Sequence, residues 1–436
     1  MMRFPDGFLW GSATAAHQVE GDNRTNDWWD WEQTPGHIKN GDRSTLACDW
    51  WHGERYRADF DLAKSLNQNA HRLSVEWSRI EPREGEWNQD ALAYYRRVLT
   101  ALRDRGMTPL VTLHHFSNPR WLAQKGAWET QTVVPFFERY ATQVVQELGD
   151  LCKFWVTINE PFVYTFFGYN DGTFPPGQKN VLLAFRVLGN LVRGHAAAYH
   201  AIHRVQPDAQ VGVAHHFRAF APANPRSALD RCLVGLRDRL ANRLFFLALV
   251  DGKLRFPLSV GEQLTAAAGT QDFIGINYYF TERAAFALNR PGQLFTREVK
   301  ADWPPDAPSF AAHVEPNSLY KHLCEQARYG KPIYITENGL FDLGGDPWAR
   351  LGQARYLLTH LMAVQRAIQA GVPVNGLFYW TLVDNFEWAH GYTARFGLYR
   401  LDLASQTRTP RVTADVYARI ARDNAIPDDL IEKYGH

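Results

Sequence analysis

Eight times along this 436-residue chain, a short run rich in β-branched and aromatic residues gives way to a longer stretch with helical periodicity. The short runs fall at 8–15, 70–77, 108–115, 154–159, 209–216, 273–279, 332–336 and 376–382. The helical patterns lie near 53–66, 88–105, 131–148, 181–205, 229–250, 317–329, 350–370 and 411–422. Leu92, Tyr95, Leu99 and Leu102 recur at the spacing of one helix face. Asp346-Pro347 reads as an N-cap with proline at the first helical position, and Gly371 with Pro373 ends that helix. Strands joined through helices lie parallel, because each helix returns the chain to the same end of the sheet. The expected fold is therefore α/β: a single-domain (β/α)8 TIM barrel over 1–436 with elaborated βα loops. No Ser/Pro/Gly linker divides the chain. The longest irregular stretch, about 281–315 with Trp303-Pro304-Pro305-Asp306-Ala307-Pro308, is expected to be a long loop after strand six.

Composition removes several classes of function. Net charge is +1, with 45% hydrophobic and 21% charged residues, so there is no electrostatic reason to expect nucleic acid or an anionic membrane as partner. Cys48, Cys152, Cys232 and Cys324 are scattered without a C-x-x-C pair, which indicates neither a disulfide framework nor a zinc site. The first residues lack the apolar run of a signal peptide, and no apolar run reaches the ~20 residues of a membrane span. A cytoplasmic location is the default expectation. His195, His200 and His203 lie on one predicted helix, but the first two are ~140° apart and share no ligand face. Glu81-Pro82-Arg83-Glu84-Gly85-Glu86 reads as a solvated loop before the second helix.

In a barrel of this kind the active site lies at the carboxyl ends of the strands. Pro332-Ile333-Tyr334-Ile335-Thr336 is a strand, and Asn338-Gly339 a turn, so Glu337 is left where strand seven stops. A single strand-end glutamate is most simply a structural partner of an arginine. Other polar residues fall on the same rim, however. Strand one runs into Gln18, Arg72 stands in an apolar stretch of strand two, and strand three ends in His114-His115. Strand four ends in Asn159-Glu160, strand six carries Asn277-Tyr278-Tyr279, and Trp380 is followed by Glu387-Trp388. Flat aromatic faces beside hydrogen-bonding groups suit a sugar ring, with its apolar C–H faces and polar edge.

Glu160 and Glu337 both terminate barrel strands and can face each other across the mouth. Glycoside cleavage needs such a pair, one carboxyl to protonate the leaving oxygen and one to attack or activate water. Arg72 and the Tyr279 hydroxyl, if adjacent, keep Glu337 ionised, whereas Glu160 among apolar aromatics holds its proton longer. The chemistry calls for no metal and no cofactor.

These residues resemble glycoside hydrolase family 1, the β-glucosidase-like retaining enzymes. The resemblance runs from Phe8-Leu9-Trp10-Gly11-Ser12-Ala13-Thr14-Ala15 to Arg395-Phe396-Gly397-Leu398, through Thr157-Ile158-Asn159-Glu160-Pro161 and Ile335-Thr336-Glu337-Asn338-Gly339. It implies Glu160 as acid/base and Glu337 as nucleophile, supported by Arg72, Asn277 and Tyr279. Gln18, His115, Asn159, Glu387 and Trp388 match positions that hold the sugar hydroxyls, and Trp380 the platform beneath the ring. Phe116 stands where the family commonly has tryptophan, and Ser117-Asn118 where it often has Asp-Leu. The resemblance implies a retaining β-glycosidase of the β-glucosidase type, with galactosidase and fucosidase side activity, acting on small β-glycosides or short oligosaccharides. Two alternatives are a non-catalytic sugar-binding barrel and a 6-phospho-β-glycosidase. Against the second, Glu387, Ala394 and Phe396 stand where a Ser…Lys…Tyr pattern would hold phosphate.

Overall fold

The computed structural model describes residues 2–290, 295–303, 307–342 and 347–435. Asp346 of the expected N-cap, and Pro304, Pro305 and Asp306 of the long loop, lie outside the described residues.

Eight parallel strands close into a barrel: β1 (Leu9–Ala13), β2 (Ala70–Ser74), β3 (Thr108–His114), β4 (Phe154–Asn159), β5 (Gln210–His216), β6 (Phe273–Asn277), β7 (Ile333–Asn338) and β8 (Val374–Trp380), with β8 hydrogen-bonded to β1. They are buried on both faces, which is why they read as near-continuous apolar runs. Helices α1 (Tyr56–Ser65), α2 (Gln89–Asp104), α3 (Val133–Leu148) and α4 (Val181–Val205) follow strands one to four. Helix α2 starts because the Asn88 side chain accepts from the backbone N–H groups of Asp90 and Ala91, and it packs Leu92, Tyr95, Leu99 and Leu102 inward. The predicted helix at 229–250 is two helices, α5 (Ala228–Asp238) and α6 (Leu244–Asp251), joined by a wider π-helical turn at Arg239–Arg243. Helices α7 (Pro316–Ala327), α8 (Pro347–Gln369) and α9 (Val412–Asp423) complete the ring. No described helix is long and apolar enough to cross a membrane.

Two expectations need correction. The stretch 281–315 is not simply a loop. Thr281–Phe286 pairs in parallel with Ala219–Pro222 and antiparallel with Thr296–Val299, forming a small sheet beside the barrel mouth. Its proline-rich flanks mask two short strands, one of which also pairs with a segment distant in sequence. Nor is Glu81 solvated. It is buried, accepting from Trp77 Nε1 at 2.8 Å and the Gly85 N–H at 2.7 Å, and it pairs with Arg139. Arg83, Glu84 and Glu86 are exposed as expected. His195 is a core residue held between Thr157 Oγ1 and the Thr270 carbonyl, while His203 pairs with Asp272 at the surface.

The ladder between β4 and β5 slips between Val156 and Asn159, and that between β7 and β8 between Ile335 and Asn338. A bulge re-aims the side chains beyond it. The two slips fall where Glu160 and Glu337 emerge.

Candidate active site

Glu337 is held at both oxygens. Arg72 Nη1 donates to Oε1 at 2.5 Å and the Tyr279 hydroxyl to Oε2 at 2.6 Å. Arg72 is itself fully buried and spread across the barrel. Its Nε meets Thr112 Oγ1 at 3.2 Å, Nη1 also meets the Thr336 carbonyl at 3.1 Å, and Nη2 meets Asn159 Oδ1 at 2.6 Å. Four strands thus share one guanidinium, which the planar fork of arginine permits and lysine does not.

Glu160 receives different support. Asn277 Nδ2 donates to its Oε1 at 2.9 Å and to Asn159 Oδ1 at 3.1 Å, and Thr336 Oγ1 donates back to Asn277 Oδ1 at 2.6 Å. Sequence reasoning groups Asn277 with the nucleophile; it lies between the two carboxylates, bonding Glu160 and also favouring the charged form of Glu337. Glu160 adopts left-handed backbone angles (φ 44°, ψ 60°), as do the rim residues Phe116 (φ 73°) and Trp388 (φ 49°). Such angles are costly for residues with a Cβ and collect at functional sites.

Burial drives the Glu160 carboxyl well above the ordinary carboxylate range, and the charge of neighbouring Glu337 pushes it the same way. Burial raises Glu337 as well, but the Arg72 cation and the Tyr279 hydroxyl pull it back. Both groups expected to favour the charged form of Glu337 thus lie beside it. Its ordering below Glu160 is preserved, so a single proton on the pair resides on Glu160.

The remaining predicted residues form the walls. His115 lies between the indoles of Trp380 and Trp388, at 6.0 and 5.9 Å and nearly parallel to both, and Asn159 Nδ2 donates to its Nε2 at 3.1 Å. His114 turns away to Asn118 and Trp128. Gln18 Nε2 reaches Glu387 Oε2 at 3.1 Å and Asn385 Oδ1 at 3.3 Å, while its own Oε1 is buried without a partner. Burial, then the charge of Glu337, pushes Glu387 up to about 8. Phe116 packs on Trp388 at 5.2 Å, Ser117 donates to Glu76, and Asn118 binds Asp27. Trp28 supports the back of Trp388 at 4.6 Å instead of facing the mouth. All eleven predicted residues converge on the carboxyl ends of the strands.

Sequence reasoning missed His216, whose Nδ1 is 3.9 Å from Glu160 Oε1. The available signal was its place as the last residue of strand five. Thr112 and Thr336, which orient Arg72 and Asn277, carry no signal beyond ordinary strand composition.

A closed (β/α)8 barrel presenting two buried carboxyls, one clamped by a cation and one by a neutral amide, against aromatic walls defines a glycosidase. The model of glycosyl hydrolase family 1 matches residues 1–426, and the chain belongs to that family, as a retaining β-glycosidase. Beta-glucosidase A of Thermotoga maritima is 32% identical, the alignment covering 98% of this chain and 99% of that protein. The bifunctional β-D-glucosidase/β-D-fucosidase of Bifidobacterium breve is 32% identical over 97% of this chain and 99% of its own. Among solved structures, a β-glycosidase from Pyrococcus horikoshii superposes with a TM-score of 0.89 at 38% identity, covering 100% of this chain and 98% of that one.

Proposed function

We propose that this glycosidase removes the terminal non-reducing sugar from unphosphorylated β-O-glycosides, glucosides first and galactosides and fucosides alongside, with Glu160 as acid/base and Glu337 as nucleophile. The observation that carries the role assignment is the contrast in partners: a cation and a phenol on Glu337, one neutral amide on Glu160. Glu160 protonates the glycosidic oxygen as a Glu337 oxygen attacks the anomeric carbon from the opposite face, giving a covalent ester. Glu160, now a carboxylate, takes a proton from water, which displaces Glu337 and restores the original configuration.

Gln18, His115, Asn159 and Glu387 offer donors and acceptors to the sugar hydroxyls, and Trp380 an apolar face to the ring. The Glu387 carboxyl presents two oxygens that can bond two hydroxyls at once, which tolerates more than one configuration at carbon 4. The relative named glucosidase/fucosidase is consistent with that tolerance. Glu387, Ala394 and Phe396 offer no cation to a phosphate, against the 6-phospho-glycoside reading.

A 2-deoxy-2-fluoro-β-glucoside is expected to label the enzyme covalently, and peptide mapping to find the label on Glu337. A label on another residue, or inversion at the anomeric carbon, sinks the assignment. Glu160→Ala is expected to lose most activity on substrates with poor leaving groups and to regain turnover of activated aryl glycosides with azide. Equal loss on both, unrelieved by azide, removes Glu160 from its role. A panel of aryl β-glucoside, galactoside, fucoside and mannoside then ranks the sugars.

A further inference from the structure

His216 ends β5 beside Asn277 of β6, and its ring stands edge-on to Tyr279, with 5.9 Å between centroids and 90° between planes. Its Nδ1 is buried, has no hydrogen-bond partner and points at Glu160 Oε1 across 3.9 Å. The ring is 20% exposed, so it borders the mouth instead of filling the core. Glu160 has the complementary deficit: among the described residues Asn277 is its one side-chain donor. That is adequate for a protonated carboxyl. It is too little for a buried carboxylate, which Glu160 becomes once the leaving group has departed.

Resting on the reading of Glu160 as acid/base, we infer that His216 is a positioning residue for it. With its proton on Nδ1, the neutral imidazole swings about 1 Å closer and donates to the Glu160 carboxylate during the lifetime of the glycosyl-enzyme. The bond relaxes when Glu160 recovers a proton from the attacking water. The imidazole is neutral under working conditions: burial, then the charges of Arg218 and His322, push it down to about 3, and Arg218 is itself paired with Glu282. The charged groups facing Glu160 from the other elements are Glu337 on β7, Arg72 on β2 and Glu387 beyond β8. Tyr279 bonds Glu337 and leaves the Glu160 side to His216.

The test is the pH dependence of kcat/KM on an aryl β-glucoside. A donor to the anion lowers the pKa of Glu160, so His216→Phe, which keeps a ring against Tyr279, is expected to move the alkaline limb up by about one pH unit. His216→Gln, which keeps an N–H, is expected to stay near the wild-type limb. An unmoved limb in His216→Phe overturns the inference. So does a loss confined to KM for disaccharides, which would put the imidazole on the leaving sugar. In wild-type enzyme trapped with the 2-fluoro sugar, the 15N spectrum is expected to show His216 protonated at Nδ1, and protonation at Nε2 overturns the inference without any variant. Glu160→Ala separates the two readings: if the alkaline limb survives it, the acid/base assignment has failed; if it vanishes while His216→Phe leaves the limb in place, only the role of His216 has.

Discussion

The Glu337 carboxylate is stabilised by two contacts of different kinds, and they should be separable. Tyr279→Phe removes one hydrogen bond to a charged acceptor, about 1.5–3 kcal/mol, and is expected to lower kcat/KM by about ten- to a hundredfold. The acid limb of the pH profile, which follows protonation of the nucleophile, should move up. Arg72→Met strips from a buried carboxylate the cation that pairs with it and leaves Asn159 without its shortest hydrogen bond. Its acid limb should climb further than that of Tyr279→Phe, with activity at pH 6 falling by about a hundredfold or more. A smaller limb shift in Arg72→Met than in Tyr279→Phe would mean that the phenol, not the guanidinium, sets the charge on Glu337.

Among the elements, the segment after β8 carries Glu387 and Trp388 and is tied down from below. Arg411, which precedes α9, donates to both oxygens of Asp384 at 3.0 and 2.8 Å and to Asp342 at 2.8 Å, all three residues being buried. Breaking a buried pair by removing one partner typically costs 3–5 kcal/mol. Arg411→Met should therefore lower stability by about that much in denaturant unfolding, and raise KM more than it lowers kcat as the Glu387 wall loosens. Pairing it with Asp384→Asn should recover part of the stability loss. The strands and their order were legible in the sequence because each is a doubly buried run bounded by turn residues. The carboxyl-end residues were legible because such a run has no other reason to end in charge. The bulges beside Glu160 and Glu337 were not, since a one-residue slip in a ladder depends on both strands and leaves no mark on either alone. Glu81 was misread for a related reason. Its burial depends on Arg139, on a helix 58 residues away, and nothing in its charged surroundings announces that partner. Asn277 was legible as a polar residue at the end of strand six, but that its amide reaches Glu160 as well as Glu337 is a matter of side-chain direction.

For the molecule as a whole, proton binding sets the pH of greatest stability. His17, His71, His195, His216 and His360 are pushed down to about 3, and His114, His215, His322 and His390 to about 4, in each case chiefly by burial. The unfolded chain takes up protons at these sites below about pH 6.5 that the folded one refuses, so stability falls as pH drops from there. Burial also raises Glu20, Asp27 and Glu32 to about 7 and Glu387 to about 8. Those carboxyls contribute the opposite slope: their stabilisation is present below their unfolded values and is lost as pH rises through about 7–8. Glu160, Glu337, Asp59, Glu129 and Glu298 are raised by burial as well, and His115 is lowered, so the two slopes oppose each other between about pH 4.5 and 6.5 and the carboxyls act alone above that range. Thermal melts should therefore decline from about pH 6.5 towards 8, where the carboxyls act alone; a steady rise to pH 8 would contradict this balance. The Arg72 guanidinium has a consequence of another sort. Its partners lie 40, 87 and 265 residues away along the chain, so its fork can fill only after β2, β3, β4 and β7 have all found their places in the ring. Contacts of such separation come late, because the loop entropy they require is lost before they return anything. A refolding chain should regain its helices and strands first and its catalytic competence last, when the barrel shuts.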